Sequence, residues 1–206
     1  MLAWLLFPAH SATAVFCLAV SIGLLIVARH SEFARNPGRL MALGAVTIFL
    51  YAVLEYVLDA DINNFVISML GRRPDLTTRV PMWEEILSMV KNPVVGYGFE
   101  TFWLGERADI IEQHWGIRYQ AHNSYLDLYL NLGYIGLILT LVYLLSGVKK
   151  IYHYLFKDYP NAILRLCFFL VCVLSSWTEN TFHVTYLWIL LLFSIMDKPS
   201  STIPAH

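Results

Sequence analysis

Charge is scarce in this sequence. Of its 206 residues 14% are charged, against about 25% in ordinary soluble domains, while 58% are apolar and 15% aromatic. With a mean hydropathy of +0.58, that balance excludes an ordinary soluble domain and implies an integral membrane protein. The net charge of −1 argues against nucleic acid as a partner. Cysteine is also rare. Cys17, Cys167 and Cys172 all fall in apolar runs without metal-ligand spacing, which excludes a disulfide framework and a zinc site and leaves small buried hydrophobes. No Lys or Arg precedes the apolar run Leu2–Phe7, so the basic start of a signal peptide is missing. That run reads as the tail of an earlier helix, and the expectation is one membrane domain forming the C-terminal half of a longer protein.

Other signatures are missing too. No internal repeat is visible, and no serine or cysteine is paired with a base in a nucleophile motif. Gly96-x-Gly98 follows no strand and opens no clear helix, which excludes a dinucleotide loop. Asp59-Ala60-Asp61-Ile62-Asn63 starts like a calcium loop, or like the Asp-x-Asp of metal-dependent sugar transferases. The glycine and glutamate that should follow are replaced by Asn64 and Leu70. No metal or other cofactor is expected.

Apolar runs of spanning length are what the sequence does have. A spanning helix takes about 20 mainly apolar residues. The candidates are Ala12–Ala28, Leu40–Leu58, Ser124–Val148, Ala162–Trp177 and the short Phe182–Met196. The fold class expected is an all-α, polytopic transmembrane helical bundle. The connection 29–39 carries Arg29, Arg35 and Arg39, and 148–165 carries Lys149, Lys150, Lys157 and Arg165. Short basic connections stay cytoplasmic. Segment 59–121 holds six of the 14 basic residues but nine of the 15 acidic ones, so it is expected outside. One orientation satisfies all these loops.

Segment 59–121 is too rich in aromatic and aliphatic residues to be a mere linker. After Pro81, the residues Trp83, Ile86, Leu87 and Val90 recur at helical spacing, with Glu84, Glu85, Ser88 and Lys91 off that stripe. The pattern predicts an amphipathic helix beginning in the turn that holds Pro81 and lying on the bilayer. Asn92-Pro93 stops it. Gly96-Tyr97-Gly98 then reads as a flexible turn. Ser124 is the expected cap of the next spanning helix, with Asp127 in its first turn. His122 is thereby placed at the membrane mouth.

Four groups in or beside this segment bear on chemistry. Arg72, Arg73 and Arg79 fall within eight residues. Guanidinium groups grip phosphate oxygens in pairs and keep their charge, so the cluster reads as a diphosphate clamp or as a basic patch against lipid head groups. Arg79 is the stronger candidate, because backbone N–H groups at the start of a helix also favour an anion. The His122 imidazole can take a proton from a hydroxyl near neutral pH, or it is an ordinary interfacial histidine. His114 could do similar work from a less organised stretch. Glu179, followed by Asn180, breaks an apolar region and reads as a functional carboxylate at membrane depth or as a short exposed turn.

As an ordered set, Gly71-Arg72, Leu76-Thr77 with Arg79, Trp83, Asn92-Pro93 with Gly96 and Gly98, Ala121-His122-Asn123-Ser124-Tyr125-Leu126, Gly133 with Gly136, and Glu179 resemble the C-terminal catalytic region of the O-antigen ligase and polysaccharide polymerase superfamily. The exopolysaccharide-polymerase branch looks most similar, over roughly residues 10–196. The chain departs from the family pattern where Thr78 stands in place of glycine and Arg73 in place of aspartate, and the Pro8–Thr13 stretch lacks a cation the family often has there. The resemblance implies a GT-C-like membrane bundle in the bacterial inner membrane. It implies a metal-independent, inverting glycosyltransferase whose donor is a glycan on undecaprenyl diphosphate and whose acceptor is a growing glycan or a lipid A core. It also implies that Arg79, Arg72 and His122 are catalytic, and that Arg73, Trp83, Asn123 and Glu179 bind substrate. Two other classes stay open: a transporter of lipid-linked sugars, and a non-catalytic membrane subunit or truncated remnant.

Overall fold

The computed structural model describes residues 12–31, 36, 38–40, 42, 44, 46, 76–177, 191, 192 and 196. Every labelled element is an α-helix: α1 (Ala12–His30), α2 (Leu76–Ser88), α3 (Glu106–Trp115), α4 (Ser124–Lys157) and α5 (Tyr159–Ser175). Of the expected spans 40–58 and 182–196, only a few positions are described, helical at 40, 42, 44, 46, 191 and 192. Arg72, Arg73, Asp59, Asp61 and Glu179 lie outside the described residues.

Helices α4 and α5 form an antiparallel pair joined by Asp158 alone. Its carboxylate accepts from Asn161 N at 3.3 Å and so caps α5. Ile151 of α4 packs against Phe169 and Cys172 of α5. Leu155 shares a second cluster with Ala162, Ile163 and Cys167 of α5 and Ala28 of α1. The three cysteines are buried and form no disulfide, as their apolar surroundings predicted. The basic connection expected over 148–165 is mostly helix, because α4 continues to Lys157. Arg165 is no surface cation. It is buried, donates to Asn161 Oδ1 at 2.7 Å and to the Met196 carbonyl, and lies over the Tyr154 ring.

Among the described residues one helix, α4, is long and apolar enough to cross a membrane. It is broken at Gly133, whose backbone (φ 62, ψ −157) only glycine adopts readily. From Tyr134 to Lys157 the helix runs for roughly 36 Å at 1.5 Å per residue. Ile135, Ile138, Leu139, Leu141, Val142 and Leu145 are exposed along it, a surface suited to lipid rather than water.

A break leaves backbone groups that need partners, and segment 93–98 supplies them. Tyr97 N and Gly98 N donate to the carbonyls of Leu130 (3.0 Å) and Asn131 (2.7 Å). In return, Tyr134 N and Ile135 N donate to the carbonyls of Pro93 (2.9 Å) and Val94 (3.2 Å). Gly96-Tyr97-Gly98 is therefore a clamped strip, in place of the flexible turn expected from its glycines. The backbones approach so closely that a Cβ on Gly96 would stand 2.7 Å from Asn131.

Candidate active site

The segment from 76 to 121 builds a core of its own. Met82 and Ile86 of α2, Phe102, Trp103, Ile111 of α3, Ala121 and Leu130 of α4 form one buried cluster. Helix α2 starts at Leu76, earlier than the Pro81 start expected, and holds Pro81 in its interior. Met82 and Ile86 on its apolar face are covered by side chains of the loop and by Leu130 of α4, while Val80 and Leu87 remain exposed. Leu87 is thus exposed although expected on the apolar stripe, and Met82, not expected there, is among the most buried residues of the helix. The covering residues lie far along the chain from Met82 and Ile86, which periodicity alone could not reveal.

One buried carboxylate organises the mouth of α4. Asp127 Oδ1 accepts the Trp103 indole N–H at 2.9 Å, and both its oxygens lie 3.1 Å from Ala121 N. The Ala121 carbonyl in turn accepts the Trp83 indole N–H at 2.9 Å. Both backbone groups of Ala121 are thus fixed. On the other side of His122, the Asn123 side chain caps α4 by accepting from Tyr125 N (3.0 Å) and Leu126 N (3.1 Å). Ser124, the expected cap, is instead the first helical residue, and its N–H reaches the Ser176 carbonyl at 2.9 Å. Between these anchors His122 is half-buried with φ 53, a left-handed conformation that costs a non-glycine residue of order 1 kcal/mol or more.

Arg79 stands one helical turn before Trp83 on α2, half-buried. The Trp83 bond therefore joins the helix carrying Arg79 to the residue preceding His122. Arg107, Arg118 and His114 each have partners within the loop. Arg107 donates to the carbonyls of Phe102 and Thr101 and lies 4.2 Å from the centre of the Tyr97 ring. Arg118 pairs with Asp109 at 3.0 Å and with Glu112. His114 is tied through Nδ1 to Glu85 at 2.8 Å, and Glu85 also accepts the Trp115 indole N–H at 2.7 Å. The Trp115 donor first, and His114 second, hold the Glu85 carboxyl below its ordinary range.

The four sequence candidates within the described residues, Arg79, Trp83, His122 and Asn123, thus sit on two segments that meet. Trp83 and Asn123 spend their groups on positioning: the indole N–H and the amide oxygen both serve the backbone around His122. Asp127 and Trp103 are the residues the sequence reading missed. A carboxylate at the start of an apolar helix was legible only as a favourable charge near the helix N-terminus. What it does depends on Trp103, 24 positions away.

Residues 1–141 match the family model described as O-antigen ligase. Two curated proteins are similar to this chain. One is the exopolysaccharide production protein ExoQ of Rhizobium meliloti, 26% identical over 152 residues, which cover 70% of this chain and 35% of that protein. The other is a Rickettsia conorii protein assigned as a polysaccharide ligase, 26% identical over 178 residues, 80% of this chain and 42% of that protein. The chain thus matches well under half the length of either relative. No solved structure matches it significantly.

Proposed function

We propose, on the premise that this chain belongs to the O-antigen ligase family, that it forms part of a multi-pass glycosyltransferase of the bacterial inner membrane. It transfers or polymerises a glycan from undecaprenyl diphosphate onto an acceptor hydroxyl, in O-antigen or exopolysaccharide synthesis. The acceptor is a growing glycan or a lipid A core. Segment 59–121 faces the periplasm, where the basic connections on the other side would place it. One observation carries this reading: the Trp83 bond to Ala121 links the helix of Arg79 to the loop of His122, at the entry of the helix long enough to span.

In this reading the His122 imidazole takes the proton of the acceptor hydroxyl as its oxygen attacks the anomeric carbon. The bond from that carbon to the diphosphate oxygen breaks, and its electron pair leaves with undecaprenyl diphosphate. Arg79, with Arg72 and Arg73 beside it in sequence, neutralises the charge that builds there, so no metal is called for. Attack comes from the face opposite the leaving group, which inverts the anomeric centre. Asn123, Trp83 and Asp127 hold the loop so that these groups need not reorganise at the moment of reaction.

The test is transfer from a defined undecaprenyl-linked oligosaccharide by the purified full-length protein in EDTA. Arg79→Ala and His122→Ala are each expected to reduce transfer by about 10²-fold or more with unchanged expression. Transfer at the wild-type rate by either variant refutes the assignment.

A further inference from the structure

Among the described residues three non-glycine positions have a positive φ: Glu100 (57), Tyr119 (77) and His122 (53). Strain of this kind persists only where the surroundings enforce it, and it collects at functional sites. His122 is accounted for above; Glu100 and Tyr119 are not. Both line an open depression of about 440 Å³, together with Phe99, Trp103 and Leu104. That volume lies within the usual ligand-site range of roughly 300–1,000 Å³.

We infer that this depression is a subsite for an uncharged sugar ring of the glycan, an inference that rests on the glycosyltransferase reading. Phe99, Leu104 and Tyr119 are exposed on its rim, while Trp103 is buried beneath with its indole N–H turned to Asp127. Aromatic faces receive the C–H face of a sugar, and a carboxylate such as Glu100 accepts hydrogen bonds from its hydroxyls. The Arg118 guanidinium lies 5.3 Å from the centre of the Tyr119 ring and steadies it. Its charge is already paired with Asp109 and Glu112. The Glu100 carboxylate on the wall suits the hydroxyls of a neutral sugar better than the oxygens of a diphosphate. A carboxylate on the wall likewise disfavours an apolar lipid tail.

The depression is coupled to the candidate reaction centre. Asp127 holds both Trp103, its floor, and Ala121, the neighbour of His122. Tyr119 lies on the same short segment as His122. A sugar seated there would be sensed at the loop that carries the imidazole.

The probe is the glycan released by mild acid from the polyprenyl carrier of the producing cells, added to the full protein in nanodiscs and read by saturation-transfer NMR. Wild type and Tyr119→Phe are expected to transfer saturation to the sugar ring protons. Tyr119→Ala and Phe99→Ala should weaken binding about tenfold, and Glu100→Gln should weaken it several-fold. Both aromatic rings are largely exposed, so their truncation removes little packing; equal thermal midpoints check this. Absence of transfer in wild type, or equal transfer in Tyr119→Ala, overturns the subsite and leaves the rim as a bilayer contact. His122→Ala should bind the glycan like wild type. If it binds and still catalyses, the catalytic assignment falls and the subsite stands; if catalysis needs His122 but binding ignores Tyr119, the subsite alone falls.

Discussion

Gly133→Ala separates backbone strain from the clamped helix break, because the chain contains a matched control. Gly133 (φ 62, ψ −157) and Gly105 (φ 68, ψ −152) share almost the same backbone conformation. Alanine at either position carries the same intrinsic strain, about 1–3 kcal/mol. Their surroundings differ completely. A Cβ on Gly105 meets nothing within 4 Å, whereas one on Gly133 would collide with the Val94 carbonyl oxygen and stand 2.6 Å from that of Pro93. Relieving that collision means withdrawing segment 93–98 and losing the four backbone hydrogen bonds that bridge the break. At about 1 kcal/mol each, with burial raising the cost of groups left unmade, Gly133→Ala should lose roughly 4 kcal/mol more than Gly105→Ala. For a domain of this size that corresponds to about 8–16 °C in thermal midpoint. The assay is the fraction that stays monodisperse after heating in detergent, followed by size-exclusion chromatography. Gly105→Ala should fall by a few degrees. Gly133→Ala should fall far more, or fail to accumulate. Midpoints within about 2 °C of each other would refute the reasoning.

Two further outcomes follow from the buried carboxylate of α4 and the paired carboxylate of α2. Asp127→Asn keeps the shape but removes the charge that the Trp103 and Ala121 N–H groups bond to, and puts an amide NH2 where Oδ2 now lies 3.1 Å from Ala121 N; it should cost about 1–3 kcal/mol and, through misplacement of His122, cut the transfer rate by about 10²-fold. As a positioning residue it should leave KM for the lipid-linked donor nearly unchanged; a rise in KM at constant kcat would argue against that role. Glu85 titrates below its ordinary 4.5 in the folded protein, so its contribution is present above that pH and is lost as pH falls through the lower folded value. The stability advantage of wild type over Glu85→Gln should therefore be flat at neutral pH and shrink on acidification below about 4.5, as read by thermal midpoints across pH. An advantage that grows on acidification would contradict this linkage.

Although α2 ends at Ser88, ahead of the stop expected at Asn92-Pro93, the sequence read alone specified the helical character of the described elements, the spanning length of α4 and the position of His122 just before a helix. These are local matters: apolar runs and periodicity act on their own neighbours. Membership of the O-antigen ligase family was legible in the same way, from an ordered set of short motifs. What covers the apolar face of α2, why glycine stands at 96 and 133, where Arg165 goes and what Asp127 holds were decided only by the tertiary structure. Each depends on a backbone or side-chain group finding its partner across 20 or more positions. A broken helix announces that hydrogen-bonding groups have been freed; only the folded chain determines which segment satisfies them.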